Sequence, residues 1–101
     1  MQQYRLGQLS NGVVPMKVGD RLVLEDSLWS GFDVVYAGMP SDKLFSLLCR
    51  EREIFSTRMQ GNLYFPSDSV TIDLHDTKLE VREVKPDILV LACYPKQGTQ
   101  D

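Results

Sequence analysis

The sequence predicts an all-β fold: a small single-domain β-barrel of about six to seven mainly antiparallel strands, with room for one short helix. Three observations predict it. The stretches VGDRLVL (from Val18), VTIDL (from Val70) and DILVLACYP (from Asp87) are short, rich in β-branched and aliphatic residues, and bounded by turn formers. Strand-like runs recur at spacings of roughly ten residues, each followed by a turn signal, which favours a barrel or sandwich over βαβ units. The chain has 101 residues, enough for one core and not for two.

The elements follow in chain order. Residues 1–15 carry scattered apolar positions around the turn signal Ser10-Asn11-Gly12 and read as a short edge strand or a loosely docked segment. Met16 to Asp26 is the first strand, with Val18, Leu22 and Leu24 on one face and Arg21, Val23 and Glu25 on the other. Ser27 to Gly31 forms a loop. Phe32 to Ala37 is a second strand, with Phe32, Val34 and Tyr36 on one face, and Gly38 to Asp42 is the next turn.

Residues 43–59 admit two readings. As a helix, Leu44, Leu47, Leu48, Ile54 and Phe55 gather on one side and Ser41 caps the start. As a hairpin, KLFSLLC and IFSTRM pair across the charged tip Arg50-Glu51-Arg52-Glu53. Phe45, Ser46, Thr57 and the apolar density on both faces favour the hairpin. Gly61-Asn62 and Pro66 to Ser69 read as turns. Val70 to Leu74 and Lys78 to Val84 alternate as half-buried strands, joined by a turn at His75-Asp76-Thr77. Lys85-Pro86-Asp87 turns the chain into Ile88–Tyr94, which is apolar on both faces and should be the most buried strand. Residues 96–101 read as a frayed polar tail.

Composition bounds the function. With 43% hydrophobic and 25% charged residues the chain is ordinary globular material, and its longest apolar runs are too short to span a bilayer. The first residues lack a charged region leading into an apolar one, so no signal peptide and a cytoplasmic location are expected. The net charge of -3 weighs against direct nucleic-acid binding, which needs clustered Lys and Arg. Cys49 and Cys93 lie in apolar runs without a C-x-x-C pattern and read as buried reduced thiols.

No constellation assembles a nucleophile with a base, so neither a catalytic residue nor a cofactor is expected. His75 beside Asp76 reads as an exposed turn histidine, and one histidine with two separated cysteines gives no zinc spacing. Asp20, Glu25, Asp26 and Asp33 read as a solvated acidic rim. Arg50, Arg52 and Arg58 form the one basic cluster, suited to a phosphate or an acidic partner, with Glu51 and Glu53 interleaved to weaken its field. Trp29, with Phe32 and Tyr36 close in sequence, is the aromatic contact candidate, since such residues are enriched at binding hot spots; the competing reading makes Trp29 a plug of the barrel mouth.

Taken together, VGDRLVLE, FDVVYAG, KLFSLLC, SVTIDL, TKLEVREV and DILVLACYP resemble, in order, the PilZN domain, the N-terminal β-barrel partner of flagellar-brake PilZ proteins. That resemblance implies a regulatory adaptor in c-di-GMP-linked bacterial motility, working by protein contact. The nucleotide site of the companion PilZ domain uses Arg-x-x-x-Arg and Asp/Asn-x-Ser-x-x-Gly. Arg50, Arg52 and Arg58 have another spacing and Ser27 directly follows Asp26, so the resemblance implies the half that does not bind nucleotide. A second resemblance covers GDRLVLEDSLWSGF and VVYAG, which are similar to the KOW-type barrel of NusG-like elongation factors. It implies a partner in the transcription or translation machinery. The expectation is a non-enzymatic barrel with a protein partner, no membrane insertion, and an exposed strand edge open to pairing with a second copy.

Overall fold

The computed structural model describes residues 2–5, 12–53, 56–74 and 77–95. Within them the chain is all-β. The strands are β1 (Gln3–Arg5), β2 (Val13–Lys17), β3 (Arg21–Asp26), β4 (Ser30–Ser41), β5 (Leu44–Glu53), β6 (Ser56–Pro66), β7 (Thr71–Leu74), β8 (Thr77–Val84) and β9 (Ile88–Pro95). They form a five-stranded sheet in the order β1-β3-β4-β5-β6 and a four-stranded sheet in the order β2-β9-β8-β7. Only the β1–β3 pairing is parallel among the described residues. No helix of the described residues is long and apolar enough to cross a membrane.

The strand count exceeds the expected six to seven for a physical reason. The expected strand from Met16 to Asp26 is two strands broken by a corner at Val18–Asp20, and Gln3–Arg5 adds an edge strand along β3. Gly19 takes φ +94°, a region costly for a residue with a Cβ, so the chain can turn out of one sheet into the other. Asp20 locks the corner. Its carboxylate accepts the amide N–H of Lys17 and of Gln2, each at 2.9 Å, and its own C=O accepts Tyr36 N–H at 3.2 Å. Asp20 is buried, which corrects its expected place on a solvated rim: a side chain receiving two backbone donors belongs inside the turn it closes.

The sheets pack face to face over one core. β2 contributes Val14 and Met16, β3 Leu22, β4 Val34 and Tyr36, β5 Phe45 and Leu47, β8 Leu79, and β9 Leu89 and Leu91; each is fully buried. Period-two alternation produces this layer, because residues two apart share a face. β9 lies at the centre of its sheet, between β2 and β8, as its two-sided apolar character suggests. Tyr36 spans the layer and donates its hydroxyl to the Lys85 carbonyl at 2.6 Å. Burial, with the Asp87 carboxylate nearby, raises the pKa of that phenol above its usual value.

The ambiguous segment is a hairpin. β5 and β6 pair antiparallel from Leu44↔Pro66 to Glu53↔Ser56, and residues 54–55 lie outside the described ones. Three turn assignments move. Arg50 to Glu53, expected as the hairpin tip, lie within β5, so the KLFSLLC run pairs with residues 61–66 and not with IFSTRM. Gly61 and Asn62 sit inside β6 opposite Cys49 and Leu48. Gly38 and Pro40 sit inside a β4 that runs on to Ser41 through two register shifts, with Gly38 at φ +93°. The Ser10-Asn11 turn, His75-Asp76 and the tail 96–101 lie outside the described residues.

The layer has two seams. At the first, β2 runs into β3 through the Asp20 corner, and Val18 N–H reaches the Asp87 carbonyl at 3.3 Å. At the second, β6 and β7 end their respective sheets and are not paired to each other.

Replacing Asp20 with alanine leaves two backbone donors without their acceptor and should cost about 1–3 kcal/mol. Urea unfolding measures it, with Asp42→Ala, at an exposed turn position, expected to change stability by less than about 0.5 kcal/mol.

Candidate functional site

The β3–β4 hairpin ends in a tip that its own hydroxyls hold in shape. Ser27 Oγ accepts N–H from Ser30 at 3.1 Å and from Trp29 at 3.3 Å, and Ser27 N–H donates to the Ser30 carbonyl at 2.8 Å. Ser30 Oγ donates to Glu25 Oε2 at 2.6 Å. The tip turns two large apolar residues outward, Leu28 at 75% and Trp29 at 64% exposure. Held outward on a fixed turn, the two side chains offer apolar contact area that needs little further ordering.

Beside the tip, the outer face of the five-stranded sheet carries arginines. In β5 the alternation Arg50-Glu51-Arg52-Glu53 is strand periodicity: Arg50 and Arg52 share the outer face, while Glu51 shares the inner face with Cys49 and Leu47. The glutamates therefore stand across the sheet from the arginines instead of between them, which corrects the expected interleaving. Asp33 is flanked by Arg50 at 2.9 Å and Arg21 at 4.0 Å, and Asp26 by Arg52 at 3.3 Å and by Arg5. Arg52 lies across Gly31, where an added Cβ would stand 2.6 Å from Nη2; the glycine is the space the guanidinium occupies.

These residues line a shallow depression of about 160 Å³. Four guanidinium groups face three carboxylates there (Glu25, Asp26 and Asp33), leaving one positive charge in excess on an acidic chain. Arg21 Nε is buried without a hydrogen-bond partner among the described residues. Carboxylates orient the arginines, so the face can meet an acidic group with little further ordering.

The expected contact residues separate. Trp29 is at the surface, whereas Phe32 and Tyr36 are core residues at 7% and 0% exposure, because the alternation that groups them also turns them inward. Arg50 and Arg52 come together, joined by Arg5 and Arg21. Arg58 falls at the β-bulge between the Glu51↔Met59 and Arg52↔Thr57 pairs, and its side chain lies outside those described. Arg21 carries a legible sign, since it alternates outward on its strand; Arg5 carries none, because only the parallel β1–β3 pairing brings it beside Val23.

Among the described residues no group of three His, Cys, Asp or Glu side chains is placed to hold a metal ion. Cys49 and Cys93 are free and buried. Burial, and for Cys49 also the Asp33 charge, pushes each thiol up to about 11. Comparison with protein-family models, curated proteins and solved structures finds no match to this chain.

At pH 8 a thiol ionising near 11 is thiolate only about one part in a thousand. Iodoacetamide should label both cysteines at least about a hundred-fold faster in urea than in buffer. Equal rates would show that the native strands leave the thiols open.

Proposed function

We propose that this chain is a non-enzymatic adaptor that binds another protein through the Leu28–Trp29 tip and the adjoining face of Arg5, Arg21, Arg50 and Arg52. The observation that carries the reading is an exposed tryptophan on a hydrogen-bonded turn next to arginines already oriented by carboxylates. Tryptophan and arginine dominate binding energy at protein interfaces, and both supply contact at low ordering cost when held in place. The excess positive charge of the face favours an acidic patch on the partner, steering its approach. A regulatory role in bacterial motility is the finer reading and rests on the resemblance to PilZN domains; in it the chain contributes protein contact, not c-di-GMP binding.

The test is capture from lysate by wild type and by a Leu28→Ser/Trp29→Ser variant. Both side chains are mostly solvated, so the variant should unfold within about 0.5 kcal/mol of wild type. Loss of specific proteins by the variant, with flagellar or c-di-GMP-pathway proteins among them, supports the adaptor and its pathway. RNA polymerase or ribosomal proteins would favour the KOW-type alternative. Equal capture by both forms contradicts the tip as the contact. Phe32→Ala is unsuitable as a probe, since truncating a buried phenylalanine costs about 3–5 kcal/mol.

A further inference from the structure

The second seam has the form of a binding site. A cleft of about 350 Å³ opens between β6 and β7, walled by Gly61, Leu63 and Leu74 and floored by Phe32 and Cys49. Its cause is a missing side chain. Gly61 pairs with Cys49, so it shares the inward face, yet no atom of the described residues lies within 4 Å of where its Cβ would stand. Phe65, four residues on, fills the same face by stacking on Phe45 with ring centroids 5.4 Å apart. Leu63, between them, is left 43% exposed at the lip. The core is closed at Phe65, loosens at Leu63 and is vacant at Gly61.

The rim of this apolar cleft is acidic. Glu51 lies on the inner face of β5 opposite Phe32, and Asp73 lies on the outward face of β7, between the inward Ile72 and Leu74. Neither carboxylate has an ion-pair or hydrogen-bond partner among the described residues, unlike Asp26 and Asp33 on the outer face. Among the described residues, backbone groups of the seam are also without partners. Val81 N–H donates to the Val70 carbonyl at 2.8 Å, so antiparallel alternation turns the N–H and C=O of Ile72 and Leu74 toward β8. Those of Thr71 and Asp73 then point away from β8, into the seam, and β6 likewise pairs on one side only.

We infer that the seam receives an extended segment of a partner protein in which a large apolar side chain is flanked by lysine or arginine. The apolar side chain fills the space at Gly61 against Phe32, Leu63 and Leu74; a cation two residues away, on the same face of the segment, meets Glu51, and an adjacent one, on the outer face, meets Asp73; the segment's backbone pairs with the open edges. Each feature selects against alternatives: an acidic segment is repelled by the rim, and a compact polar ligand leaves the apolar wall uncovered. This site rests on the reading of the chain as a protein-binding adaptor but is separate from the Leu28–Trp29 tip.

The test is titration of the ¹⁵N-labelled chain with the blocked pentapeptide Lys-Lys-Phe-Lys-Lys, which presents cations on both faces of an extended segment, and its Glu-Glu-Phe-Glu-Glu counterpart. The lysine peptide should shift the amides of Gly61, Leu63 and Asp73 saturably, and the glutamate peptide should bind at least about ten-fold more weakly. Gly61→Leu should abolish the shifts by filling the cleft from within. Glu51→Gln with Asp73→Asn, which leaves the core untouched, should remove the preference for lysine. Equal affinity for the two peptides, shifts elsewhere, or an unaltered titration in a folded Gly61→Leu chain would overturn the inference. The Leu28→Ser/Trp29→Ser variant should bind the lysine peptide as wild type does, so a failure at the seam is read independently of a failure at the tip.

Discussion

The buried carboxylate of Asp20 is the constraint on which the arrangement depends. Two strands meeting at a sheet corner leave backbone donors with no ladder to join, and unsatisfied donors at such a place are costly. Asp20 accepts two of them at once, and Gly19 supplies the left-handed turn that lets it do so. Because that corner holds, β2 can belong to one sheet and β3 to the other. The layer between them then has a fixed pair of inner faces, and everything outside follows from which residues alternate out.

That alternation distributes chemistry without any dedicated motif. The run Arg50-Glu51-Arg52-Glu53 sends guanidinium groups to the outer face, where Asp26 and Asp33 orient them. It sends Glu51 to the inner face at an open seam. One short charged stretch thus supplies a basic surface and an acidic rim on opposite sides of the same sheet. The Leu28–Trp29 tip is different in kind: it is held by local hydroxyl-to-backbone bonds and owes nothing to the core.

Much of the fold was legible in the sequence. Val70–Leu74, Lys78–Val84 and Ile88–Tyr94 announce themselves through alternation and turn residues, whereas the sequence leaves Trp29 open between a surface contact and a plug of the barrel mouth, and the structure exposes it. What escaped has physical reasons. Glycine and proline are read as turns, yet Gly61 lies within a strand because its backbone pairs with Cys49 whatever its side chain, and Pro40 is carried in a strand interrupted by register shifts. Proximity in sequence groups Phe32 and Tyr36 with Trp29, but proximity along a strand says nothing about which face reaches water. Arg5 joins the arginine face only through a long-range parallel pairing, which no local pattern encodes. The seam itself is invisible in sequence, since strand order is not a property of any one segment.

The two seams express one contrast: the first is tied by a buried carboxylate, the second left with edges unpaired among the described residues. The open second seam is the central claim, and amide hydrogen exchange by NMR tests it most directly. On β7 the amide of Ile72, which faces β8, should be protected, while those of Thr71 and Asp73 exchange at rates close to those of a solvated chain. Equal protection of Asp73 and Ile72 would mean that β6 and β7 are joined into a closed barrel, and the cleft with its unpaired edges would not exist.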